Sequence, residues 1–249
     1  MYEPPSARLG KEAGIKADIQ RGISVVERLL SCRDEEFFSK AYLLDALLTF
    51  GLSNQTSDWQ HLAQFKGAQN YTKFGTLQYP TEFIDYLMDC AQHQPNTVCE
   101  IGVYTGGSAY FAAAVLQRAN PKMRYCMIDI KDQLIGFDEF SELLNLDKRV
   151  PSTARDFKGE VFEMVFIDAD HSYEGASLDY EALGRYAGKL IGFHDIHAHE
   201  YDHLNGGIVK FWSEIKLQHA NTDRVVEYAH SPDRWMGIGL IDRTFSSGN

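Results

Sequence analysis

Apolar residues near the start of the chain recur at helical spacing. Ile23, Val26, Leu29 and Leu30 form one stripe, and Phe37, Phe38, Tyr42, Leu43 and Leu47 a second, which predicts helix over residues 19–50 with a stop at Gly51. The first dozen residues include Pro4 and Pro5 and few large apolar groups, so they are expected to be loosely held. Residues 54–75 are polar and aromatic without a period and read as irregular chain. Pro80 opens another helix over 81–92, with Thr81 close to its N-cap.

Beyond Pro95 the period changes. Short apolar runs (TVCEIGV, RYCMIDI, FEMVFIDAD, KLIGFHDI) alternate with amphipathic stretches (GGSAYFAAAVLQRA, FDEFSELLNL, SLDYEALGRYA, IVKFWSEIKLQ). The runs predict strands and the stretches helices, with a weaker strand near 149–152. VVEYAH and WMGIGLID predict two closing strands, joined as a hairpin through 231–233. Alternation of strand and helix implies a mostly parallel sheet with helices on both faces. The expectation is a Rossmann-like, doubly wound α/β fold with a C-terminal β-hairpin. Residues 1–77 would form an N-terminal helical extension and 78–249 the main domain.

Composition narrows the function. The 249 residues suffice for one large core. The formal net charge is −11 and the pI about 5.2, and no Lys/Arg cluster stands out. A nucleic-acid surface needs such a cluster, so nucleic acid is not an expected partner. No apolar run approaches the roughly 18 residues of a membrane span, and the N-terminus lacks the basic and apolar regions of a signal peptide. Cys32, Cys90, Cys99 and Cys126 have no metal-site spacing and read as buried thiols, which suits a reducing cytoplasm.

Two groups of residues carry chemistry. The first is VCEIGVYTGGSAYF, where a strand ends in Glu100-Ile101-Gly102, a loop through Tyr104 follows, and Gly106-Gly107-Ser108 opens a helix. Glycines permit close backbone approach and positive φ, and a helix N-terminus leaves amides free for an acidic group. The spacing Gly-x-x-x-Gly-Gly departs from the dinucleotide fingerprint Gly-x-Gly-x-x-Gly. Asp129, at the end of the next strand, is placed to accept two ribose hydroxyls. The second group is acidic and imidazole-rich. Asp168 ends the strongest strand, Asp170 and His171 follow, and His194-Asp195 end the next strand. Adjacent strands lie about 4.8 Å apart, so neighbouring strand ends would bring Asp168 and Asp195 together.

The glycine loop at 98–108, Asp129 and IDADHSYEG at 167–175 together resemble the class I S-adenosylmethionine-dependent methyltransferases. With GFHDIH and VKFW following, the chain is similar to the small-molecule O-methyltransferases of antibiotic and sugar biosynthesis, over about residues 78–242. The resemblance implies S-adenosylmethionine bound by Glu100, Gly102, Tyr104, Gly106, Gly107, Ser108, Asp129 and Asp168. It also implies a divalent cation, Mg²⁺ or Mn²⁺, at Asp168, His194 and Asp195, although relatives often carry an acid or amide where His194 stands. Asp168-x-x-His171 reproduces the spacing at which the sugar-methylating relatives place a general base. A near-neutral imidazole suits that task, and Asp168 completes the expected catalytic pair.

The partner implied is a small hydroxyl-bearing acceptor. The aromatic N-terminal region (Trp59, Phe65, Tyr71, Phe74, Tyr79) is expected to form its lid or a contact between copies of the chain. Two other classes fit a Rossmann-like chain: a nicotinamide-dependent oxidoreductase, against which the glycine spacing argues, and a non-catalytic nucleoside-binding protein, against which Asp168, His171 and Asp195 argue.

Overall fold

Strand residues with small or branched apolar side chains build the centre of the molecule. The computed structural model describes residues 5–57, 59–65, 70–230 and 234–245, with 5–13 and 61 by backbone alone. Seven strands form one sheet: β1 (Thr97–Ile101), β2 (Arg124–Ile128), β3 (Leu146–Arg149), β4 (Met164–Ile167), β5 (Leu190–His194), β6 (Arg224–Tyr228) and β7 (Ile238–Asp242). Their spatial order is β3-β2-β1-β4-β5-β7-β6. β1 to β5 are parallel, and β7 runs antiparallel between β5 and β6. This is the doubly wound, mostly parallel Rossmann-like architecture.

Register assigns alternate residues to opposite faces. Val98, Tyr125, Met164 and Leu190 face one core, which they share with α1 (Pro5–Ser31), α3 (Lys40–Phe50), α4 (Pro80–Gln92) and α5 (Gly107–Ala119). Cys99, Cys126, Val165 and Ile191 face the other, against α7 (Tyr173–Ala182) and α8 (Gly207–His219). With both faces covered, the strands read as continuous apolar runs, as parallel strands do. The chain winds outward from β1 in one direction and from β4 in the other, so the C-terminal ends of these two neighbours open a crevice.

The N-terminal region departs from its sequence pattern. α1 is one continuous helix from Pro5 to Ser31, so it begins within the first dozen residues, of which 1–4 lie outside the described residues. The helix expected over 19–50 is three: after α1 come α2 (Asp34–Phe37) and α3, where the Ser39 hydroxyl accepts from the Tyr42 amide at the new N-terminus. Val25, Val26 and Leu29 are buried against the sheet's helices, and Arg118 of α5 donates to the Cys32 carbonyl. The extension therefore shares the main core.

Elsewhere the differences are local. Residues 54–75 contain short 3-10 turns, Asn54–Thr56 and Gln60–Phe65, and Tyr71–Thr72 pairs with Leu52–Ser53. The helix of FDEFSELLNL is limited to α6 (Phe137–Ser141). The third strand is Leu146–Arg149, earlier than expected, because Pro151 has no N–H to offer a ladder. β6 and β7 pair as a hairpin requires, but its turn, 231–233, lies outside the described residues. All four cysteines are buried and free. Among the described residues no helix is long and apolar enough to cross a membrane.

Candidate active site

A cavity of about 780 Å³ opens at the C-terminal ends of β1, β2, β4 and β5. Its size falls within the usual range for small-molecule sites, roughly 300–1,000 Å³. Gly102, Tyr104, Gly107, Ser108, Asp129, Asp168, His171, His194 and Asp195 all line it. These residues come from four strand ends and meet only because the strand order reverses between β1 and β4.

The glycines serve the protein's own packing. Gly102 has φ +93°, and a Cβ there would lie 2.1 Å from the Asp168 carbonyl oxygen. A Cβ on Gly107 would lie 1.7 Å from the Phe74 carbonyl oxygen. Glycine thus lets the β1 loop press against the end of β4 and lets α5 start against the Phe74–Gly75 backbone. Gly106 is the left-handed N-cap of α5 and does not line the cavity. The loop around them holds Asp129, whose Oδ2 accepts from the Tyr104 amide at 2.8 Å and Oδ1 from the Lys131 amide at 2.9 Å. The carboxylate is fixed at the rim, facing the cavity.

Glu100 corrects an expectation. It sits one residue before the end of β1, on the face turned to α4 and α5, and is 1% exposed. The Tyr125 hydroxyl donates to its Oε2 at 2.5 Å. Burial pushes its carboxyl up to about 8 against that hydrogen bond, so it is mostly protonated at neutral pH. Glu100 does not line the cavity.

The second group converges. His171 Nδ1 lies 3.0 Å from Asp195 Oδ2, and its ring stacks on Tyr201 at 4.6 Å. Asp195 has φ +59°, a left-handed conformation that aspartate tolerates better than most residues. Burial would lower the His171 pKa, but the hydrogen bond to Asp195 and the charges of Asp195 and Asp168 outweigh it and the net shift is upward. Burial likewise disfavours charge on Asp195, yet His194 and His171 hold its carboxyl below the ordinary value.

His194 lies between the two acids. Its Nδ1 is 2.9 Å from Asp168 Oδ1 and 3.6 Å from Asp195 Oδ1. Burial opposes its protonation, but the charges of Asp168 and Asp195 prevail and raise its pKa to about 9. The other oxygen of Asp168 accepts from Gln78 Nε2 at 2.7 Å.

This arrangement does not fit the divalent cation that the sequence resemblance implies. Mg²⁺ needs oxygen ligands at about 2.0–2.1 Å in octahedral array. Here the Asp168 oxygens face N–H donors of Gln78 and His194, and Asp195 Oδ2 faces His171. A ring nitrogen that carries a proton toward a carboxylate has no lone pair for a metal. Among the described residues no group of three His, Cys, Asp or Glu side chains has the geometry to hold a metal ion.

Some residues of the site gave no signal in the sequence. Gln78 precedes Tyr79 in an irregular stretch, and only the fold brings it to Asp168 across 90 positions. Tyr201 lies in HAHEYDH, which reads as a solvated loop. That loop's His199 and His203 do bond locally, to Asp202 and to the Glu200 carbonyl, and its His197 faces Glu227 and Arg234. Ser152–Arg155, after β3, forms a further wall with Asp179, whose carboxyl burial raises to about 6.

Comparison with known proteins agrees with this geometry. Residues 99–196 match a family model described as a methyltransferase domain, a segment that includes the glycine loop, Asp129, Asp168, His171 and the His194-Asp195 pair. The fold is similar to that of the O-methyltransferase NovP, at 10% identity and a TM-score of 0.53, covering 82% of this chain and 99% of that one. It is also similar to an O-methyltransferase from Bacillus cereus solved with S-adenosylhomocysteine, at 15% identity and a TM-score of 0.51, covering 87% and 94%. No curated protein matches the chain.

Proposed function

We propose that this chain is a class I S-adenosylmethionine-dependent methyltransferase and transfers the methyl group to a hydroxyl of a neutral small molecule, with His171 as the base. When bound, S-adenosylmethionine supplies a methyl carbon on a positively charged sulfur. The observation that carries the reading is the His171–Asp195 pair on the cavity wall. Asp195 accepts from Nδ1–H, which fixes the tautomer and leaves Nε2 as the proton acceptor. Nε2 lies 3.9 Å from Asp168 Oδ1, too far for a hydrogen bond, so it is free to meet a hydroxyl. As the acceptor oxygen bonds to the methyl carbon, the carbon–sulfur bond breaks and its electron pair stays on sulfur. The hydroxyl proton passes to His171 Nε2. The products are a methyl ether and S-adenosylhomocysteine.

The other residues position the two reactants. Asp129, held by two backbone amides, turns its remaining lone pairs to the ribose hydroxyls. The cavity lining also includes Gln55, Trp59, Leu77, Tyr104 and Met236, uncharged side chains that suit a sugar or another uncharged natural-product intermediate. Both solved structures similar in fold are described as O-methyltransferases, in keeping with oxygen as the acceptor atom. No step passes through a metal.

Calorimetry tests the cofactor. S-Adenosylhomocysteine should bind the wild type and NADH should not. Asp129→Ala should weaken S-adenosylhomocysteine by about 1–3 kcal/mol, the worth of charge-assisted hydrogen bonds. Unchanged affinity would remove Asp129 from the ribose site, and NADH binding in its place would return the chain to the oxidoreductases.

A further inference from the structure

We propose that the His194 side chain stands where a divalent cation would sit between Asp168 and Asp195, and that the site works without a metal. The inference rests on the methyltransferase reading of the cavity and adds a positioning residue to it. Three observations carry it. The Nδ1 of His194 bonds Asp168 Oδ1 at 2.9 Å and lies 3.6 Å from Asp195 Oδ1, so one ring stands between both acids. The side chain is 3% exposed and comes from the last residue of β5, which pairs with Ile238 of β7, so it has no room to swing aside. The other ring nitrogen, Nε2, is buried and unpartnered, and Nδ1, at hydrogen-bond distance from a carboxylate, carries a proton where a metal would need a lone pair.

The substitution has a consequence for mechanism. A cation bound to the acceptor would lower the hydroxyl's pKa by Lewis acidity. An N–H donor held beneath Asp168 does not touch the hydroxyl. Its work is to keep Asp168 and Asp195 in place and to offset their mutual repulsion, while Asp195 orients His171. Removal of the proton then falls to His171 alone. Gln78, donating to the second oxygen of Asp168, completes the set of N–H groups that replaces a coordination shell.

Electron paramagnetic resonance of Mn²⁺ reads the proposal without knowledge of the acceptor. Wild-type protein, mixed with Mn²⁺ in equal amount, should leave the free-ion spectrum unchanged, with and without S-adenosylhomocysteine. His194→Asp converts the pair of acids into three carboxylates on the same strand ends and should bind Mn²⁺ at least ~10-fold more tightly than the wild type. His194→Asn, which removes the ring and adds no charge, should gain no comparable binding. In parallel, long-range ¹H–¹⁵N correlation spectra of the wild type should show a proton on His194 Nδ1. Mn²⁺ bound by the wild type and lost in His194→Asn would overturn the proposal. So would an unprotonated Nδ1, or a folded His194→Asp variant that ignores Mn²⁺. If His194→Asp does not fold, the wild-type spectra and His194→Asn still decide. Binding of S-adenosylhomocysteine to the same samples is scored separately, so failure of the cofactor reading is distinguishable from failure of this one.

Discussion

His171 is a base because of what surrounds it. The Asp195 carboxylate at 3.0 Å fixes its tautomer, and the face of Tyr201 at 4.6 Å fixes its plane. General-base catalysis of this kind contributes typically 10²–10⁴-fold, so His171→Gln should lower kcat by about that factor while S-adenosylhomocysteine affinity in calorimetry stays level. The reactive form is the neutral ring. Since the neighbouring acids raise its pKa above 6.5 despite burial, the wild-type rate should rise with pH through an ionisation above that value. Asp195→Asn removes the main charge that raises it, so the rising limb should move to lower pH as the maximum rate falls. A limb that stays in place would mean that Asp195 does not set the base. The pair of residues in Asp168-x-x-His171 was legible in the sequence. Gln78 and Tyr201 were not, because neither lies in a patterned segment and each reaches the site through a tertiary contact.

Among elements, the β1 loop and the start of α5 show why glycine occurs where it does. The sequence suggested that these glycines permit close backbone approach and positive φ, and Gly102 shows both. The closest atoms to the absent Cβ groups of Gly102 and Gly107 are the carbonyl oxygens of Asp168 and Phe74. Gly102→Ala would place a methyl 2.1 Å from one, and Gly107→Ala 1.7 Å from the other, so a backbone segment must move in either case. Each substitution should destabilise the fold by about 3 kcal/mol or more, measured by urea denaturation, and should weaken S-adenosylhomocysteine binding through the displaced loop. A loss below ~1 kcal/mol would show that the loop yields freely. The buried strands β1, β2, β4 and β5 were legible as apolar runs. The strand Leu146–Arg149 was misplaced for the same reason in reverse: its sequence, LDKR, is that of an edge strand with one open side, and polar residues give no period to read.

At the scale of the molecule, α1 belongs to the core. Val25, Val26 and Leu29 are at most 3% exposed, and Gly22 packs against Phe140 and Phe50, which lie beside α5 and the aromatic layer of Phe74 and Phe111. A boundary at residue 77 therefore does not separate two independent cores. Removing residues 1–31 should expose this layer and give a chain that aggregates or binds a hydrophobic dye without cooperative thermal unfolding. A truncated chain with the wild-type melting temperature would make the helix a dispensable cover.

The sequence by itself determined the architecture and the chemical types at the strand ends. Period and apolar run length are local properties, and a parallel sheet covered on both faces leaves them intact along each segment. It determined that Asp129, Asp168, His171, His194 and Asp195 end strands or follow them directly. Only the tertiary structure decided how these groups face one another. Glu100 turned from cavity to core because strand residues alternate sides, and on that face the Tyr125 hydroxyl of the neighbouring strand donates to it. His194 became the partner of two acids because β4 and β5 pair directly in the sheet, which sets their ends side by side at hydrogen-bonding distance. Which nitrogen carries a proton, and whether that proton or a metal joins the acids, depends on distances of an ångström or less between segments far apart in the chain.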